Sequence, residues 1–259
     1  MTRVTLDTQL YEIRTRIIRL GTLVETALEQ AIQAVQSGDQ ALCELVIASD
    51  STIDAVRSEV ERLAFQSLTL QQPLAGLDLR FLSSAPSIAG DLERMGDNAA
   101  GIAKLLVRMA PLRAAGMSQV QLASSGLSAR DQKRPSDREV TEASIVSGIV
   151  DLGLEARRVL QGATDAFERS DAHAARVIWQ EDDVVDVRYH LVRHELMTML
   201  TDIHAIPALQ QDSLSMQRMT YWLWIAHNLE RIGDHCTNIC ERIVFFLEGE
   251  GTIRPTEAE

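Results

Sequence analysis

A six-residue segment of this chain occurs twice, and that repetition limits the fold more than any other feature. Leu92-Glu93-Arg94-Met95-Gly96-Asp97 returns as Leu229-Glu230-Arg231-Ile232-Gly233-Asp234, an offset of 137 between Glu93 and Glu230. Upstream, Ala34…Ser37-Gly38-Asp39 is matched by Ala166…Arg169-Ser170-Asp171, and Asp50…Asp54 by Asp182…Asp186, both at an offset of 132. The change of offset needs five extra residues in the second copy, between its second and third elements, where Asp202–Asp212 lies. Landmarks repeated at near-constant spacing mark a duplicated structural unit.

Each unit reads as three helices. Ile225, Leu229, Ile232, Cys236, Ile239 and Ile243 recur at steps of four and three, a narrow apolar stripe suited to bundle packing. Similar amphipathic stretches run over residues 6–36, 40–70, 77–110, 140–169, 172–201 and 212–248. Breaks fall at Ser37-Gly38-Asp39, Gln72-Pro73 and Pro207, and Asp39 and Asp171 are placed to cap the helices that follow. Only 4% of residues are aromatic and no strand-like alternation of useful length occurs. The expectation is an all-α chain of two tandem homologous three-helix bundles with six long helices. The first bundle spans residues 1–112 and the second 140–259. Residues 113–139 hold Gly116, Ser124-Ser125-Gly126 and Arg130-Asp131-Gln132-Lys133-Arg134-Pro135, with few large apolar side chains. They read as a flexible linker, with room for a short helix near Gln119–Ala123.

Residues four apart on a helix share a face. Asp50/Asp54, Glu93/Asp97, Asp182/Asp186 and Glu230/Asp234 are therefore four carboxylate pairs, two per repeat. Like charges at this spacing cost a helix a few tenths of a kcal/mol, and a bound cation reverses the sign. One such pair is an ordinary solvated face; four in equivalent places can surround hard metal ions between adjacent antiparallel helices. The bland reading, carboxylates that are solvated or meet a basic partner, stays open on pattern alone. Gly96 and Gly233 stand inside helices, where glycine costs about 1 kcal/mol relative to alanine. Close helix packing and close approach of a metal cluster explain them equally well. Asn238 and Glu241 extend the acidic face of the second repeat, where the first has Gly101 and Lys104. His190 follows Asp186 by four residues, whereas His235 is adjacent to Asp234 and is expected to leave that face.

Other chemistry is poorly supported. No Glu-x-x-His of diiron oxidases, His-Asp dipeptide, Gly-x-Ser-x-Gly or phosphate-cradling glycine loop is present, so the chain is not expected to be an enzyme. A carboxylate-metal enzyme is the remote alternative. Cys236 and Cys240 read as core residues, and Trp222 and Trp224 with Tyr221 as core or interface anchors. A formal net charge of −12 argues against nucleic acid and anionic lipid as ligands. Apolar runs such as Ile243–Leu247 are too short for membrane insertion, and no signal peptide opens the chain. A cytoplasmic, reduced protein is expected.

The segments Leu92–Asp97 and Asn228–Glu241, with Gln71-Gln72-Pro73 and Asp78-Leu79-Arg80, resemble the signature of PhoU proteins, regulators attached to phosphate-specific transport. The resemblance covers nearly all of the chain outside residues 111–139 and implies a pair of three-helix bundles. It implies multinuclear metal sites, iron foremost with zinc, manganese or magnesium as alternatives, at Asp50, Asp54, Glu93 and Asp97 and at Asp182, Asp186, Glu230 and Asp234. It also implies negative control of phosphate uptake and of the phosphate-starvation response. The implied partners are the phosphate ABC transporter's ATPase subunit and a membrane sensor histidine kinase, and a homodimer is expected. One departure is Gly101, where the signature has Asn as at Asn238, so the first site offers fewer ligands.

Overall fold

The structure is a computed structural model that describes residues 3–70, 74, 76–123, 141–205 and 213–249. These residues form helices and connecting turns, with no strand among them. The first half holds α1 (Arg3–Ser37), α2 (Gln40–Leu70) and α3 (Gly76–Ala123). The second holds α4 (Glu142–Arg169), α5 (Ala172–Gln180), α6 (Asp182–Ala205) and α7 (Ser213–Glu248). The all-helical, twice-repeated architecture expected from the sequence is present.

Capping chemistry sets several boundaries. Asp39 Oδ1 accepts from the Ala41 N–H at 2.8 Å, and Asp171 Oδ1 accepts from the Ala174 N–H at 2.9 Å. Both expected caps are thus in use. Thr141 and Ser144 form a reciprocal capping box that starts α4. The fifth helix, expected to run unbroken over 172–201, is interrupted at one residue. Glu181 donates to Ile178 O and Val184 donates to Glu181 O, each at 3.1 Å, a local tightening that restarts the helix at Asp182. α3 runs to Ala123, well past Pro111 and into the segment read as a linker. The remainder of that segment, like Gln71-Gln72-Pro73 and most of the Asp202–Asp212 insertion, lies outside the described residues.

The halves do not keep separate cores. A single apolar cluster runs from Leu6 to Phe246 and includes buried residues of every helix. α3 packs most extensively on α7, and α1 lies against α4. These contacts obey a pseudo-two-fold rule: when residue i of one half meets residue j of the other, the equivalents meet in reverse. An ideal Cβ at Gly153 of α4 would sit 2.7 Å from Ile32 Cγ1 of α1, and one at the equivalent Gly21 of α1 would sit 2.7 Å from Thr164 Cγ2 of α4. Asn238 of α7 reaches Asp91 of α3, and Asn228 of α7 lies 3.1 Å from an ideal Cβ on Gly101 of α3. At the 132 and 137 offsets these are equivalent pairs. Gly101 thus has a packing reason, since the Asn228 side chain takes the space that a Cβ would enter.

At one end of the molecule Phe81, Phe167 and Phe246 close the core. Their centroids lie 6.4, 5.5 and 6.1 Å apart, and the Arg14 guanidinium stands about 5.5 Å from two of the rings. Arg14 also donates to Ser170 Oγ at 2.6 Å, tying α1 to the α4–α5 turn.

Candidate metal centre

Pairing α6 with α7 places the second-repeat carboxylates together. One ligand oxygen from each of Asp186, Glu230 and Asp234 lies within 4.8 Å of the others, and among the described residues no other group of three acids, histidines or cysteines comes as close. Asp182, at the start of α6, lies beside them. Its Oδ1 is buried without a hydrogen-bond partner and would stand 2.7 Å from an ideal Cβ on Gly233. Gly233 also admits Val185, as Gly96 admits the equivalent Ile53 at 2.8 Å. Close helix packing therefore accounts for both glycines. At Gly233 it brings a carboxylate oxygen in as well.

Burial and crowding disfavour ionisation of Asp182, Asp186 and Glu230. Asp182 is pushed from 3.8 to about 7, first by burial and then by Asp186, Asp234, Asp183 and Glu230. Asp186 is raised by burial and Asp234, with His190 acting in the opposite sense. Glu230 is raised by burial and Asp234, and His227 opposes it. His227 Nδ1 lies 2.8 Å from Glu230 Oε2. The sequence reading missed this histidine because it sought His three residues after Glu, and here His precedes Glu by three.

The first repeat is looser. Glu93 is raised by burial and Asp97, with Arg57 and Arg94 in opposition. Asp97 is raised by burial, Asp50 and Asp54, with Lys104 in opposition. Lys104 Nζ stands 3.6 Å from Asp50 Oδ2, so a fixed cation already occupies part of the field. Asp50 Oδ1, equivalent to Asp182 Oδ1, is likewise buried without a partner. Asn238, expected on the acidic face, lines a cleft with Asp182, Asp183 and Glu241 and also donates to Asp91 Oδ1 at 3.4 Å. His235 leaves that face as expected, buried with Nδ1 3.0 Å from Asp91 Oδ1. Trp222 is fully buried and donates to Glu142 Oε1 at 3.0 Å, while Trp224 is half exposed. Burial pushes the Cys236 thiol up and Cys240 to about 12, which suits core residues and not thiolate ligands.

An orphaned, buried carboxylate oxygen in each repeat and an all-carboxylate rim fit a hard cation. Without one, the native state binds the Asp182 proton more tightly than the unfolded chain does. Its ionisation therefore costs stability, a cost absent below about pH 4 and complete above about pH 7. Chelated protein should lose stability across that window, and Asp182→Asn should remove about 1–2 kcal/mol of the loss after allowance for solvent screening. Urea titrations at pH 4.5 and pH 7.5 measure the difference.

This is a duplicated helical bundle with acidic centres where the second and third helical regions of each repeat meet. The PhoU domain model matches residues 17–106 and 149–243, one match per repeat, and the chain belongs to the PhoU family. It is 31% identical over 242 residues to the phosphate-specific transport system accessory protein PhoU homolog of Caulobacter vibrioides, covering 93% of this chain and 89% of that protein. It is 26% identical to the homolog so named in Clostridium acetobutylicum, over 96% and 97% of the two chains. The fold matches the crystal structure of the phosphate transport system regulatory protein PhoU from Streptococcus pneumoniae with a TM-score of 0.71 at 29% identity, covering 95% and 99% of the chains. PhoU from Pseudomonas aeruginosa matches with a TM-score of 0.73 at 27% identity, covering 94% and 99%. The names are those of accessory and regulatory proteins and not of enzymes. Among the described residues no helix is long and apolar enough to cross a membrane.

Proposed function

We propose that this chain is a cytoplasmic, metal-binding adaptor that restrains phosphate uptake and phosphate-starvation signalling by contacting the phosphate transporter's ATPase subunit and a membrane sensor kinase. Support for the transport side comes from the relatives, which are accessory proteins of phosphate-specific transport. The observation that carries the metal reading is the convergence of Asp186, Glu230 and Asp234 beside the partnerless Asp182 Oδ1. These four residues would hold the ion, iron first with manganese, zinc or magnesium as alternatives, and His227 stands within reach as a nitrogen donor. A bound cation would neutralise the crowded carboxylates and cross-link α6 to α7. The first-repeat set of Asp50, Asp54, Glu93 and Asp97 would form a weaker second site, because Lys104 competes there.

Elemental analysis of protein purified without chelator tests the metal, and co-purification with the ATPase subunit, with and without chelator, tests the adaptor role. At least one tightly held metal per chain and chelator-sensitive capture are expected. A metal-free protein that still captures the ATPase would leave an adaptor with solvated acids.

A further inference from the structure

We propose that a cleft between α2, α3 and α7 binds a phosphate-type oxyanion, at a site separate from the second-repeat acidic centre. The cleft has a volume of about 390 Å³, and its lining includes Arg57, Ser87, Gly90, Asp91, Arg94 and Arg242. Arginines from three helices line it in a chain whose net charge is −12. Arg57 spends one nitrogen on Glu61, with Nη2 2.9 Å from Oε1, while its Nε is buried without a partner. Arg94 and Arg242 make no direct ion pair among the described residues. Asp91, which would repel an anion, is already engaged by His235 at 3.0 Å and Asn238 at 3.4 Å. Asp91 and Glu241 are both on the lining, so three arginines, one of them already paired with Glu61, face two carboxylates there. Arginine forks satisfy tetrahedral oxyanions by charge-assisted hydrogen bonds, and a serine hydroxyl can add a further donor.

Gly90 supplies an independent argument. It stands inside α3, where glycine weakens a helix, yet an ideal Cβ there would meet nothing within 4 Å. Packing does not require this glycine, and its effect is to keep the cleft open. The equivalent positions in the second half carry larger side chains instead. At the 137 offset Ser87 and Gly90 become Trp224 and His227, and at the 132 offset Arg57 becomes Tyr189, whose ring centroid lies 6.2 Å from that of His227. The open, arginine-lined version belongs to one half alone.

Titration calorimetry on chelator-treated full-length protein at low ionic strength tests the site, with inorganic phosphate and O-phosphoserine as probes and chloride as the control. Saturable binding of one phosphate per chain is expected. Arg94→Gln with Arg242→Gln, both away from the core, should weaken it about tenfold or more. Gly90→Leu should abolish it while leaving the circular dichroism spectrum unchanged. Glu230→Gln with Asp234→Asn should leave it intact, which separates this site from the second-repeat metal centre. Tighter binding of O-phosphoserine would identify a phosphomonoester as the ligand, and weaker binding the free anion. The proposal is overturned by the absence of saturable binding to either probe, by equal affinity in the double arginine variant, or by loss of binding in the acidic-centre variant alone.

Discussion

Replacing Glu230 and Asp234 with Gln and Asn should strip most of the bound metal and lower the melting temperature by several degrees, while the same changes at Glu93 and Asp97 should cost less of both. The asymmetry follows from geometry. Three second-repeat oxygens already lie within 4.8 Å of one another, whereas the first-repeat Asp50 faces Lys104 at 3.6 Å. A ligand that binds only the native state at about 100 times its dissociation constant adds about 2.7 kcal/mol. For a chain of this size that is a shift of roughly 5–10 °C. With metal removed, the neutral replacements should be harmless or slightly stabilising, because they relieve like-charge crowding. Elemental analysis and melting curves with and without iron, manganese or zinc decide the matter. If all variants melt alike in both conditions, the acids are a solvated face.

Phe167→Ala should be among the most damaging single core changes. Phe167 is 2% exposed, stacks near Phe81, meets Phe246 edge-on and lies under the Arg14 guanidinium. Truncation of a buried phenylalanine costs about 3–5 kcal/mol, a large share of the 5–15 kcal/mol that holds a typical domain folded. Because one core runs through both halves, the whole chain should still unfold in a single transition at lower urea. All three tryptophans, Trp179, Trp222 and Trp224, lie in the second half, so their fluorescence reports that half while circular dichroism reports both. Coincident curves are expected, and separated ones would show that the halves fold independently.

Much of this was legible from spacing. Periodicity marked the helices, the twin acidic segments marked the duplication, and Asp39 and Asp171 marked two helix starts, because these signals are local. The break at Glu181 was not, since it depends on two three-residue hydrogen bonds that no residue type announces. Nor was the reach of α3 beyond Pro111. Helical phase placed Asn238 beside the acids but could not show its second partner, Asp91, which comes from a different helix. His227 escaped notice because the pattern searched for ran in the other direction. The shared core was equally hidden: a repeat in sequence does not say whether its copies stand apart or lean on each other.

The Asp91–His235 contact pairs the two halves in a way that neither half could reproduce with a copy of itself. Exchanging equivalents at the 137 offset, a self-pair of first halves would set Asp91 against Asn98 and Gly101, with no imidazole opposite. A self-pair of second halves would set Asn228 against His235 and Asn238, with no carboxylate. Only the mixed pair joins the acid to the ring, at 3.0 Å and out of solvent. Chemically distinct halves thus give the mixed seam a buried polar pair that a like-with-like seam would lack.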